Sequence, residues 1–463
     1  MKKTKWLLLI LIAGLVFGAY RLFVAQTFNA EKILAQSILK ERTFSGKAEE
    51  ISLFDGKSRA YYMAEHHVPL VSISFGFNHA GRAYETPDGV GLMAENVLLD
   101  GAGDYSRQEL RDLMKEKGIK LAVSAGNDTL NFSLSYVKKF EKEALEVLKA
   151  VLYQPKLDEK DLDLTRRQLA IARQKQNENP RYHLGRLVDK EFYGEHPYGK
   201  ENIPEDEALA QISAETIRQY LAKVMGKDNI YIGVAGDISK ELAQQFLEDA
   251  FEKLADKAEI SDLPEFSPDY SADVVQTEVP FSAQSFVLTS AKGVKRLDKD
   301  FYPLYIADYV LGGSGFNSRL YKAVREKEGL TYGIYSYFSN SDAVDGWHVS
   351  FSATGDKVDQ ALEIAQNEYL RFYEQGISKE ELEQAKKSML SSFNLRFSSL
   401  FNIADMLKEM QRQKLGIDFL QKRQKYVAQV TLEQVNDAIR RRMPKSLDKN
   451  GLVRVFRAEA GKK

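Results

Sequence analysis

The chain states one plan twice. Segments near its start return in the same order roughly 211 to 213 residues later. In the first half Val71, Ile73, Phe75 and Phe77 alternate with Ser and Gly. Successive side chains of a strand point to opposite faces, so this run predicts a half-buried strand. A helix holding Glu95 follows, then a Lys-Glu-Lys-Gly-Ile segment at 115–119, then a second alternating strand of Leu130, Phe132, Leu134 and Tyr136. Phe140, Ala144, Leu145, Leu148, Val151 and Leu152 recur at helical spacing and stop before Pro155. The second half repeats the series: a strand from Phe286 to Thr289, a helix over 301–311 ending at Gly312 and Gly313, and an Arg-Glu-Lys-Glu-Gly-Leu segment at 325–330. Trp347, Val349 and Phe351 alternate next, and Val358, Ala361, Leu362, Ala365 and Tyr369 form the following helical stripe. Even residues 156–162 correspond to 376–382, where Ser378 and Glu381 have the spacing of a capping box.

Such a chain is expected to fold as two similar units of mixed strand and helix. Strands and helices come in runs, which predicts an α+β fold of two homologous sandwich domains rather than a doubly wound sheet. The polar stretch 255–273, with Pro264 and Pro268, reads as the linker. The expected divisions are 1–25, 45–262 and 263–463.

With 463 residues, 44% hydrophobic content, 11% aromatics and 11 prolines, the chain is globular rather than disordered. A net charge of −1 argues against electrostatic attraction to nucleic acid. The absence of cysteine excludes disulfides, thiolate metal sites, a cysteine nucleophile and a lipid anchor on cysteine. Lys2, Lys3 and Lys5 precede an unbroken run from Trp6 to Tyr20, the pattern of a secretory signal. Extended past Arg21 to Ala25, the run would just cross a bilayer, so a cleaved signal and an uncleaved anchor both stay open. Either places the bulk of the chain outside the cytoplasm, in the periplasm or cell envelope.

Residues 89–101 carry Gly89, Gly91, Leu92, Glu95, Asn96 and Gly101, with Gly81, Arg82, Tyr84 and Pro87 upstream. This frame resembles the pitrilysin/insulinase family of inverted zinc metallopeptidases, in which a Gly-rich lead runs into a helix bearing His-x-x-Glu-His. The likeness covers nearly everything from about residue 45 onward. In that motif the two His bind zinc and the Glu activates water. Here the corresponding positions hold Leu92, Glu95 and Asn96, and the family's third ligand, a Glu one helix later, falls at Ala172. Leucine and alanine donate nothing, and a neutral amide is a poor zinc ligand beside imidazole. The resemblance therefore implies a family member without its zinc motif, with no metal in this chain and Glu95 vestigial.

In the second half, Gly312, Gly313, Gly315 and Arg319 lead to Arg325 and Tyr332. This resembles the family's C-terminal signature, whose Arg and Tyr face the zinc across a clam shell. A guanidinium and a phenol suit substrate backbone and a developing oxyanion. The bland alternative makes Arg325 a solvated charge and Tyr332 a packing residue. No phosphate-loop Lys follows the glycines, which read as a helix-ending turn. Among the histidines, His66 and His67 form a pair before a strand, His79 follows the first strand near Glu85, His196 belongs to a structural Glu-His-Pro-Tyr-Gly element, and His183 and His348 read as ordinary helix and strand residues.

The resemblance implies a non-catalytic subunit of a two-chain zinc peptidase, binding extended peptides and completing the chamber of a zinc-bearing partner of the same family. A standalone peptide-binding or scaffold protein is the alternative. A zinc endopeptidase using other ligands is the second alternative.

Overall fold

The computed structural model describes residues 46–266, 274–279, 284–342, 345–447 and 454–460. The signal or anchor expected over 1–25 lies outside them. Among the described residues no helix is long and apolar enough to cross a membrane.

In chain order the strands are β1 (Glu49–Leu53), β2 (Ser58–Ala64), β3 (Leu70–Asn78), the short pair β4 (Gly101–Ala102) and β5 (Tyr105–Ser106), then β6 (Lys120–Ala125), β7 (Thr129–Val137) and β8 (Ile230–Gly236). The second half supplies β9 (Val274–Val279), β10 (Gln284–Lys292), β11 (Ile334–Asn340), β12 (Asp345–Thr354) and β13 (Arg454–Ala460). The helices of the first half are α1 (Val90–Val97), α2 (Arg107–Lys117), α3 (Glu141–Tyr153), α4 (Glu159–Asn177), α5 (Pro180–Tyr193), α6 (Asp206–Ala210), α7 (Ala214–Val224) and α8 (Lys240–Phe251). Those of the second are α9 (Phe301–Asp308), α10 (Val358–Gln375), α11 (Lys379–Phe393), α12 (Leu400–Arg412), α13 (Phe419–Gln429) and α14 (Leu432–Arg442).

The duplication is visible in the sheets. One sheet runs β1-β2-β8-β3-β7-β6, and the other runs β9-β13-β10-β12-β11 when read from its matching edge. Apart from the added β1, the orders coincide, and each contains one parallel pair, β2 with β8 and β9 with β13. Local details repeat as well. Gly118 and Gly329 both take left-handed conformations, at φ 63 and 64, after their helical turns. The Ser378–Glu381 capping box forms with both bonds, at 2.8 and 3.2 Å. The offset is not constant, because β3 at Leu70 answers β10 at Gln284 while β8 at Ile230 answers β13 at Arg454.

Each sheet packs helices on one face. In the first half Phe75 stacks on Phe132 at 4.9 Å and meets Phe251 of α8 edge-on at 4.9 Å. In the second, Trp347 packs on Tyr369 of α10 at 5.7 Å. The opposite faces corrected one expectation. β3 is buried on both faces rather than half-buried, because α12, from the other half of the chain, lies across it. The small residues Ser74, Gly233 and Ala235 make room for that helix. Reciprocally, Leu184, Val188 and Phe192 of α5 pack toward Phe286 and Leu288 of β10. Helix α9 is also shorter than expected: it ends at Asp308, and Tyr309–Gly313 forms a π-helical turn.

The seat of α12 is polar as well as close. Gln411 accepts a bond from the Ile232 amide at 2.8 Å and donates to the Arg59 carbonyl at 2.6 Å, bridging β2 and β8 with a buried side chain. Lys408, 5% exposed, reaches Asp405 at 2.8 Å and Asn131 at 3.1 Å, and Ser74 donates to Asp405 at 3.0 Å. Buried polar groups of this kind are stabilising only when every partner is present.

Candidate functional site

The Gly-rich lead into α1 is built around a buried carboxylate. Glu85, 3% exposed, accepts from the amides of Gly89 at 2.6 Å and Gly91 at 2.8 Å, capping the helix N-terminus. Burial raises its pKa against the lowering effect of those two amides. A Cβ on Gly91 would lie 2.8 Å from the Glu85 carboxylate, so the glycine is what lets the acid approach. His79 is not Glu85's partner: it stacks on Tyr84 at 4.8 Å and faces Asp342 at 3.6 Å.

Past this cap, the residues expected at the metal positions do other work. Leu92 packs against the first core. Asn96 turns its amide onto the Leu92 carbonyl at 2.8 Å, within its own helix. Ala172 stands exposed on α4. Glu95 accepts from the Ala125 amide at 2.9 Å, closing the end of the edge strand β6. No donor set for a cation forms from these four. Among the described residues no group of three or more ligating His, Asp or Glu side chains assembles elsewhere.

The histidines are engaged singly. His66 pairs with Asp237 at 2.7 Å, and His67 with Glu65. His183 meets the Asn177 carbonyl at 2.6 Å, and His196 meets the Pro264 carbonyl at 3.2 Å.

Arg325 and Tyr332 come together. The guanidinium lies 5.6 Å from the phenol ring centre, within cation–π range. Arg325 sits in a π-helical turn, Tyr321–Glu326, and Tyr332 just before β11. Tyr332 is 78% exposed, with Tyr335 and Tyr337 also exposed beyond it. The phenol borders a cleft of about 320 Å³ between β10, β11 and the crossing helix α5, which contributes Arg181 and Leu184. Among the described residues no hydrogen bond, ion pair or ring contact joins Glu95 to Arg325 or Tyr332.

Two titratable groups of this half, buried Asp308 and half-buried His348, were not singled out by the sequence as a pair. Asp308 accepts from the Trp347 indole at 2.8 Å, and burial pushes its pKa up to about 6 from 3.8. His348, between Ser290 and Ser339 at 2.8 Å each, is pulled down by burial to about 4 from 6.5. Their linkages oppose. Asp308 binds its proton more tightly when folded, so its contribution is complete below about pH 4 and is lost as pH rises through 6. His348 resists protonation when folded, so its contribution is complete above pH 6.5 and is lost as pH falls toward 4. Each spans at most about 3 kcal/mol. Relative to the parent, Asp308→Asn is expected to gain stability steadily from pH 4 to 6, and His348→Gln to lose it. Urea midpoints across this range check both slopes.

The comparisons with known proteins agree with this geometry. Residues 70–204 match the family model described as insulinase (peptidase family M16), and residues 211–389 match the one described as peptidase M16 inactive domain. A Helicobacter pylori protein named non-peptidase homolog YmxG is 26% identical over 386 residues, covering 82% of this chain and 88% of that one. A Bacillus subtilis protein named uncharacterized zinc protease YmxG is also 26% identical, over 69% of this chain and 77% of that one. The solved peptidase M16 inactive domain from Pseudomonas fluorescens superposes with a TM-score of 0.82 at 22% identity, covering 90% of this chain and 98% of that one. The chain belongs to the insulinase peptidase family, M16, as a member whose described residues carry no zinc motif.

Proposed function

We propose that this chain is the non-catalytic subunit of a two-chain M16 zinc peptidase. It completes the peptide chamber and presents Arg325 and Tyr332 to the active site of a zinc-bearing partner. The observation that carries this reading is the Arg325–Tyr332 pair in cation–π range, with a phenol 78% exposed, in a chain whose expected metal positions hold no imidazole. A substrate-facing half kept without its metal half fits an arrangement in which another chain brings the metal. The exposed tyrosines of β11 and the adjoining cleft support extended peptides as what the chamber holds. Within this reading the two functional units divide near residues 262 and 263. The N-terminal segment carries the chain to the periplasm or cell envelope, where it is released or stays anchored. Zinc belongs to the partner, and nucleic acid is not a ligand.

Mixing this chain with an M16 chain that carries an intact His-x-x-Glu-His is the test. A stable complex and a rise in peptide hydrolysis of about 10-fold or more over the zinc chain alone are expected. No complex and no rise would favour the standalone binding or scaffold reading. Hydrolysis by this chain alone, abolished by a chelator, would favour the peptidase reading.

A further inference from the structure

A cavity of about 650 Å³ lies where β11 and the Tyr309–Gly313 turn face α12 and α13, separate from the Tyr332 cleft but sharing Tyr337 with it. Its cationic lining is Arg296, Arg396 and Arg423. Arg423 is 6% exposed and lies 4.1 Å from the ring centre of Phe393. Arg296 is half-buried, 4.1 Å from the Phe301 ring and 5.5 Å from that of Phe419. Among the described residues neither arginine forms an ion pair, and the Arg423 Nη1 is buried without a hydrogen-bond partner. Burial lowers the pKa of both guanidiniums, and nearby arginines lower them further. A buried guanidinium without an acceptor is costly, and native proteins seldom leave one so.

The duplicated half supplies an internal control. Arg82 stands four residues beyond the end of β3, as Arg296 stands four beyond the end of β10. Arg82 donates to Asn127 and Asn202 and lies near Asp189 and Glu85. In the second half the electrostatic neighbours are Tyr302, Tyr305 and another arginine. The first copy finds hydrogen-bond acceptors and nearby carboxylates in its own chain, whereas the second has aromatic rings and another arginine around it.

Three acids also line the cavity, and each has a partner elsewhere. Asp405 meets Lys408 at 2.8 Å, Glu409 meets Arg412 at 3.0 Å, and Asp308 meets Trp347 at 2.8 Å. They leave the arginines free while disfavouring a multiply charged guest.

We propose that this cavity binds a monoanionic carboxylate on an apolar body, with Arg423 and Arg296 gripping the carboxylate and Phe301, Phe393 and Phe419 covering the body. The planar fork of arginine matches a carboxylate, and the aromatic walls fit its hydrocarbon part. The carboxylate comes from a free organic acid or from the C-terminus of a peptide. This inference stands apart from any pairing with a zinc chain.

Calorimetry on the full-length chain tests it with 3-phenylpropionate against 3-phenylpropionamide, and with a short peptide ending in phenylalanine against its C-terminal amide. At least one acid is expected to bind 10-fold or more tightly than its amide, and which one does so identifies the source. Arg423→Met is expected to lose that binding at least 10-fold while its unliganded melting temperature stays level or rises, since it removes a charge without a partner. A purely structural role for Arg423 would lower that temperature instead. Arg396→Gln, at an exposed position, provides a second variant and is expected to weaken binding about threefold. Equal affinity of acids and amides, or no binding by either acid, overturns the proposal, as does unchanged binding in both variants.

Discussion

Replacing Gly233 with alanine is expected to destabilise the chain by about 4 kcal/mol or more, at the extreme of what single substitutions do. A Cβ at this position would lie 1.9 Å from the Ala404 carbonyl oxygen, 2.7 Å from the Lys408 amide and 2.9 Å from the Leu407 Cβ. Two of these are backbone atoms, so no rotamer change relieves the clash. Helix α12 must lift from β8. Lifting it breaks both bonds of Gln411 and strands the Ile232 amide and Arg59 carbonyl. It also opens the cluster in which Tyr61, Met63 and Ala235 meet Ile403, Leu407 and Met410. Because α12 comes from the other half of the chain, the loss falls on the joint between the two halves. Denaturant titration should show a large fall in midpoint or a split into two transitions. Gly185→Ala in α5 is the control. A Cβ there meets nothing within 4 Å, so a neutral or slightly stabilising result is expected.

The second large effect is functional and rests on the two-chain reading. Arg325→Ala combined with Tyr332→Phe is expected to lower kcat of the reconstituted enzyme about 100-fold, the usual loss when a donor to a developing oxyanion is removed. Zinc content and complex formation should not change. Tyr332 is 78% exposed, and Arg325 makes no ion pair among the described residues, so folding depends little on either. Assays of zinc, complex mass and turnover on one preparation separate these readouts. Unchanged turnover in an intact complex would reduce the pair to surface residues and support the scaffold reading.

The repeat, the α+β class and the order of elements were legible because they rest on local periodicity and turn chemistry. Phe75 and Phe132 show their core face in alternation, and Ser378 and Glu381 show a helix start by spacing alone. The full burial of β3 was not legible. Ser72, Ser74 and Gly76 read as a solvent face, and only the crossing of α12 shows that this face is buried, with Ser74 donating to Asp405 of that helix. Gln411 was invisible for the same reason, since its partners are 179 and 352 residues away. At the site, the lack of a His-x-x-Glu-His sequence on α1 was readable from residue identities. The task of Glu95 at the Ala125 amide was not, because it depends on where an edge strand ends. Arg296 and Arg423 gave no signal, being ordinary arginines until the fold removes their acceptors.

The central claim is that this M16 fold stands without its metal. The direct measurement is the zinc content of the full-length chain, purified without any partner and dialysed. A value near zero per chain is predicted, since Leu92, Asn96 and Ala172 offer no ligand and Glu95 is bound to the edge strand. A value near one that survives dialysis would contradict it and place a peptidase centre in this chain.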